Sequence, residues 1–438
     1  MIRRVLALAA FVVGAVLAPT VGSAQTDTST TSFDVNGLKV ILRRNTSNDV
    51  IAANVYLLGG TQQLTPATQG IELMLLQASE RGTNRFPKEL VRQIPARLGT
   101  DYFTIDGDED WTLFGFKATR TTFDSTWAVF ADRLMAPTLD STEVELVRSR
   151  MLTQVRERAN DPDPLVNRLA DSLAWVGHPY GFTPEGTEGS LRSITLGQLK
   201  NYQATQMVSS RMLLVVVGNV DRAHLEALAG NSLAKLPHGN YSWAPPHAMG
   251  KLGKALVVRP AQLPTNYLLG YYAGPSARDP DYEALRIATA VLSGRFFTEI
   301  RSRRNLSYEV DAPFVERAIS NGGVYVTTVD PNQTLSLMRV EIDRLQRDLI
   351  DPEGLKRLVQ QFITDYFLKN ETNGQQATML ARAQIYDGDY RMAAHFVDNL
   401  RKVKPDDVRR VARQYMHDFR FVYMGKADAL NRALIDQF

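Results

Sequence analysis

Six histidines, His178, His224, His238, His247, His395 and His417, are the side chains best suited to ligate a transition metal or to move a proton near neutral pH. Their spacing supports neither role. No two stand four residues apart, as they would on one helical face, and none sits in a C-x-x-C or H-E-x-x-H frame. His178 precedes Pro179 in a loop pattern and reads as structural; His238 and His247 flank a polar segment and read as solvated. The chain has no Cys, which removes disulfides, thiolate zinc sites, a thiol nucleophile and a cysteine-linked lipid anchor. No G-x-S-x-G elbow and neither glycine-rich phosphate loop occurs. Asp106-Gly107-Asp108-Glu109-Asp110 offers carboxylates to a cation, but it lacks the alternating spacing and distal Glu of a calcium loop. It reads as a solvated acidic turn.

The elements around these residues start with an N-terminal leader. Arg3-Arg4, an apolar run over 5–18 and the small-residue stretch Val21-Gly22-Ser23-Ala24 predict a secretory signal peptide over 1–24. The protein is thus expected to be periplasmic or secreted, and no later stretch is long and apolar enough to span a membrane. Lys and Arg number 50 against 47 Asp and Glu, giving +3; losing Arg3 and Arg4 leaves 3 − 2 = +1. Nothing in that balance, nor any basic cluster, points to nucleic acid.

After a Thr/Ser-rich stretch over 25–32, expected to be disordered, residues 33–44 predict a hairpin turning at Asn36-Gly37. A strand over 50–58, a helix over 70–80, a helix over 87–98 and a half-buried strand over 111–118 follow. Helices are predicted over 123–135, over 142–160 with Ser141 as cap, over 165–175 beyond the Asp161-Pro162-Asp163-Pro164 break, and over 196–206. A buried strand covers 212–220. Residues 237–250, rich in Pro, read as a linker between domains at 33–236 and 251–438.

The second domain repeats the first. Segments 40–60 and 256–275 both read strand, break, strand, Gly. Arg44 and Arg259 each stand 15 residues before a glycine, Gly59 and Gly274. Val215-Val216-Val217-Gly218-Asn219 has a late counterpart in Val422-Tyr423-Met424-Gly425-Lys426. The expected fold class is therefore α+β: two homologous α/β-sandwich halves from an internal duplication, joined by a linker.

The helix Gly70-Ile71-Glu72-Leu73-Met74-Leu75-Leu76-Gln77-Ala78-Ser79-Glu80-Arg81-Gly82-Thr83 resembles the one carrying H-x-x-E-H in pitrilysin/insulinase-type metallopeptidases. His178-Pro179-Tyr180-Gly181, Gly186-Thr187 with Ser190-Leu191, and the run from Gly294 through Arg301 to Tyr308 resemble further motifs of that family. The likeness covers nearly the whole mature chain. It implies zinc ligands at Leu73, Gln77 and Gln154 and a general base at Leu76. Leu has no lone pair for a metal, and an amide is a poor ligand and no base. No metal or other cofactor is expected in this chain.

The same resemblance implies a role for Arg301 and Tyr308, seven residues apart, as groups that face a partner's zinc site, bind the substrate backbone and stabilise an oxyanion. Guanidinium and phenol can both donate to a developing negative charge. The competing reading makes Arg301 a surface charge and Tyr308 a core strand residue. The family's Gly before Leu is Asn305 here, a residue that tolerates left-handed geometry. The resemblance implies a catalytically inactive subunit of a heteromeric zinc metallopeptidase, with no autonomous activity, paired with a homologous zinc-bearing subunit and acting on unfolded peptides. The alternatives are a non-catalytic peptide-binding or assembly protein that keeps the fold, and an independent hydrolase with unrecognised residues.

Overall fold

The computed structural model describes residues 29–100, 103–248 and 253–438; the leader predicted over 1–24 lies outside them. The first hairpin, β1 (Thr30–Val35) and β2 (Leu38–Arg44), turns where Asn36 and Gly37 both take positive φ, 50° and 84°. That backbone twist matches the strands and is cheap only for such residues. β3 (Val50–Leu58), α1 (Ile71–Ala78), α2 (Lys88–Leu98), β4 (Thr104–Gly107) and β5 (Trp111–Thr119) follow. Then come α3 (Phe123–Met135), α4 (Ser141–Asn160), α5 (Pro162–Ala174), α6 (Glu188–Ser193), α7 (Leu196–Gln206), β6 (Met212–Gly218) and α8 (Arg222–Gly230). The first sheet runs β1-β2-β6-β3-β5-β4, antiparallel except for the β2–β6 pair.

The second half holds β7 (Ala255–Pro260), β8 (Asn266–Ser276), α9 (Asp281–Phe296), β9 (Ser307–Asp311), β10 (Phe314–Val315) and β11 (Ile319–Thr328). It ends with α10 (Pro331–Arg347), α11 (Pro352–Lys369), α12 (Asn373–Asp387), α13 (Phe396–Lys402), α14 (Pro405–Tyr415) and β12 (Arg420–Gly425). Its sheet runs β10-β11-β8-β12-β7, with β9 also on β11 and β7–β12 as the parallel pair. Strand for strand this repeats β4-β5-β3-β6-β2. The counterparts read from sequence, β2 with β7, β3 with β8 and β6 with β12, occupy equivalent places.

Each half lends a helix to the other's sheet. Val166, Ala170 and Ala174 of α5, with Trp175 just past its end, pack on Leu269, Tyr271, Tyr325, Val422 and Met424. Ala377, Leu380, Ala381 and Ile385 of α12 pack on Ile41, Tyr56, Leu213, Val215 and Val217. The opposite faces of the sheets close the two main cores, Val40, Val55, Phe114 and Val216 in one, Leu268, Val324, Phe421 and Tyr423 in the other. Burial on both faces explains why β6 and β12 read as unbroken apolar runs rather than alternating ones.

Several local expectations need correction. Within the stretch read as disordered, residues 30–32 already belong to β1 and pair with Ile41, Leu42 and Arg43. α4 is capped by Asp140, not Ser141: its carboxylate accepts from the backbone N–H of Thr142 at 2.9 Å and of Glu143 at 3.1 Å. The Asp161-Pro162 break spans a single residue, because Asp161 ends α4 and caps α5 with Pro162 at its first position, where a missing N–H costs nothing. Segment 237–248 carries no helix or strand, but it is pinned: Trp243 donates through Nε1 to Ile385 O at 2.9 Å. Among the described residues no helix is long and apolar enough to cross a membrane.

Candidate functional site

α1 is entered through Gly70 at φ 87°, a left-handed position where the glycine faces Leu191 and the 185–186 backbone. Leu73 and Leu76 point inward, 7% and 1% exposed. The Leu73 side chain fills the space over Gly107 of edge strand β4, where a Cβ would stand 3.1 Å from its Cδ1. Gln77 is half-buried on α1, and Gln154 is exposed on α4, the helix packed against it. Two aliphatic side chains and two amides offer no imidazole and no carboxylate, so these positions do not fit zinc. Among the described residues, no group of three or more His, Asp or Glu is placed to hold a metal ion.

An unforeseen ion pair holds α1 in place. Glu72, 5% exposed, accepts from Arg211 Nη1 at 2.6 Å and from the Tyr202 hydroxyl at 2.9 Å. Arg211, fully buried, also donates through Nε to Leu58 O at 2.7 Å. Burial raises the Tyr202 phenol well above its usual range. The available signal was an acid inside an otherwise apolar helix: burying a charge requires a partner.

In the second half α9 runs into a turn of π-helix, Phe297–Ser302, a widening found mostly at functional sites. Arg301 sits on that turn. Its guanidinium carbon lies 5.2 Å from the Phe297 ring centroid and 4.9 Å from that of Tyr308. Asn305 takes φ 51°, the left-handed turn expected of it, and its N–H donates to Arg301 O at 3.1 Å. Tyr308 is 81% exposed on β9, which pairs only with β11 and leaves its other edge open among the described residues. The core-packed reading of Tyr308 is therefore wrong. The structure brings Arg301 and Tyr308 together, and it joins neither to Leu73, Leu76, Gln77 or Gln154 by a hydrogen bond, ion pair or ring contact among the described residues.

The acidic turn is not solvated as expected beyond Asp106. Asp110 is fully buried between the halves. It accepts from the Tyr180 hydroxyl at 2.5 Å, the Ala318 N–H at 2.8 Å and the Tyr386 hydroxyl at 2.8 Å. Arg317 bridges Glu109 at 2.8 Å and Asp171 at 3.1 Å. Burial pushes the Glu109 carboxyl up to about 7, against the pull of Arg317, and raises Asp108 and Asp110 as well. The turn is thus the electrostatic joint between the halves. His178 is structural, as read: Nδ1 accepts from Tyr180 N–H at 3.1 Å. A cavity of about 1160 Å³ lies between α9, α11, α12 and α13; none of the six positions singled out from sequence lines it.

Comparison with known proteins follows the same lines. The profile of the family described as Peptidase M16 inactive domain matches residues 193–362. The chain is 22% identical over 422 residues to mitochondrial-processing peptidase subunit beta of Lentinula edodes, covering 90% of this chain and 89% of that one. It is 21% identical over 390 residues to the uncharacterized zinc protease YmxG of Bacillus subtilis (strain 168), covering 86% and 93%. Among solved structures, a protease from Helicobacter pylori matches with TM-score 0.83 at 18% identity, over 90% of this chain and 99% of that one. A peptidase M16 inactive domain from Pseudomonas fluorescens matches with TM-score 0.83 at 18% identity, over 91% and 98%.

Proposed function

We propose that this chain, a homologue of mitochondrial processing peptidase and of bacterial zinc proteases that carries the M16 inactive domain, is the zinc-free subunit of a two-chain metallopeptidase. The partner is a homologous zinc-bearing subunit, which supplies the metal, its ligands and the general base. The substrates are unfolded peptides, and the leader over 1–24 directs the chain to the periplasm or out of the cell.

One observation carries this reading. An arginine and a tyrosine, both hydrogen-bond donors, stand side by side, Tyr308 exposed and Arg301 half-buried with Phe297 behind it. No core requirement holds Tyr308 outside, whereas α1 has its former metal face sealed by Leu73 and Leu76. Tyr308 stands on an open strand edge, where a peptide adds as one more strand through main-chain hydrogen bonds. Arg301 donates to a carbonyl of that peptide. As charge develops on the scissile carbonyl oxygen, Arg301 and Tyr308 donate to it from fixed positions, the arrangement that lowers such barriers most.

The test is co-purification from the native cell, followed by mixing the separate chains. A second chain of similar mass and cleavage only in the mixture support the proposal. A chain that purifies alone and digests peptides in a chelator-sensitive way overturns it. A mixture that cleaves no faster than the zinc-bearing chain alone leaves a peptide-binding role.

A further inference from the structure

We propose that a pocket beside the C-terminal end of α1 binds a small oxyanion, a carboxylate or phosphate group, in a cradle of four guanidinium groups. The pocket encloses about 250 Å³ and is lined by Arg81, Arg92, Arg133 and Arg150, with Glu80 and Phe103 among its other walls. This inference does not depend on the function proposed above.

Arg133 forms the floor. Its side chain is 1% exposed and lies over two aromatic rings, 4.7 Å from the Phe103 centroid and 4.9 Å from that of Phe114. Nε donates to Ser79 Oγ at 3.0 Å and Nη2 to Leu76 O at 3.2 Å. The nearest carboxylate oxygen, Glu80 Oε1, is 3.6 Å away on a side chain 38% exposed. Burying a guanidinium is costly, and burial pushes Arg133 down to about 10 against the opposing pull of Glu80.

Arg81 forms a second wall. Its Nε is buried without a hydrogen bond. The carboxylate oxygen it approaches, Glu143 Oε2, lies 4.0 Å away, while Lys88 Nζ holds Oε1 of the same carboxylate at 2.5 Å. Arg92 and Arg150 stand exposed at the rim and enter no ion pair among the described residues. Four arginines and one glutamate thus line a small void. Guanidinium forks match planar carboxylate and phosphate oxygens two at a time. The volume is below the range of about 300–1,000 Å³ usual for drug-sized ligands, so a single phosphate or the carboxyl end of a chain is the right size. Arg150 precedes Gln154 by four residues on α4, so the pocket opens on the face that carries the degenerate zinc position.

The experiment is titration calorimetry of the full chain with inorganic phosphate at constant ionic strength. Saturable one-to-one binding is expected, weakened about tenfold or more in the double variant Arg92→Ala/Arg150→Ala. Both are rim residues, so the thermal midpoint of the double variant without phosphate should match that of the parent. A second arm offers a short peptide with a free C-terminal carboxylate and the same peptide amidated. Competition with phosphate by the free form alone assigns the pocket to a chain end; competition by neither assigns it to a free anion. Equal phosphate binding by parent and double variant, or binding that never saturates, overturns the proposal.

Discussion

The guanidinium carbon of Arg301 rests 4.9 Å from the ring centroid of Tyr308, on a strand edge where the tyrosine stays 81% exposed. The contact links a π-helical turn to an edge strand seven residues later. Its energy is small at an exposed site, about 0.5–1 kcal/mol, so its value lies in holding two donors at one place.

Removing those donors tests the assisting role. In the mixture with the zinc-bearing subunit, Arg301→Ala lowers peptide turnover by about 100-fold, the usual loss for one oxyanion donor, and Tyr308→Phe lowers it in the same direction. Chemical denaturation of Tyr308→Phe stays within about 0.5 kcal/mol of the parent, as for other exposed sites. Unchanged turnover in both variants ends the assignment.

Restoring ligands tests whether only side chains are missing from the metal site. Leu73→His, Leu76→Glu, Gln77→His and Gln154→Glu together bind one zinc per chain by elemental analysis, while the parent binds none. Leu76→Glu alone destabilises by about 3 kcal/mol, because the site is 1% exposed and the new charge has no partner. A quadruple variant that folds but takes up no zinc shows that the backbone has drifted as well.

Arg211→Met leaves Glu72 buried with only the Tyr202 hydroxyl to answer it, and costs about 3–5 kcal/mol in urea denaturation. Replacing both, Glu72→Leu with Arg211→Met, returns most of that loss, since two apolar groups need no compensation. A double variant as weak as the single one contradicts the pairing.

Stability depends on pH through Glu109. Its folded carboxyl is raised from 4.5 to about 7, so between those values the folded state holds a proton that the unfolded chain releases. That contribution is fully present below about pH 4.5 and is lost as pH rises through 7. Asp108 and Asp110, also raised, act with the same sign. Glu109→Gln, uncharged and of equal size, flattens the fall in denaturation free energy between pH 5 and 7.5. A slope equal to the parent's removes Glu109 as its source.

Much of the fold was legible because the signals are local. Asn36-Gly37 meets the φ demands of a two-residue turn wherever it lies, and the β-branched run 215–217 suits a strand buried on both faces. The duplication was legible from element order, since each half reuses one hydrogen-bonding plan. α5 was readable as a helix but not as an exchanged one: Ala170 and Ala174 mark a close-packing face without saying which sheet it meets, and α12 emerged only with the structure.

The poor fit of Leu73, Leu76, Gln77 and Gln154 to zinc was legible from side-chain type, because no packing gives leucine a lone pair. The placement of Arg301 against Phe297 and Tyr308 needed the π-turn and the strand edge to be seen in space. Asp110 misled because a carboxylate in a polar run looks solvated. Its partners lie 70, 208 and 276 residues away along the chain, and only docking of the two halves brings them to it. Short-range geometry and side-chain chemistry travel with the order of residues. Burial and charge pairing depend on which distant surfaces close over a group, and that is a property of the folded chain.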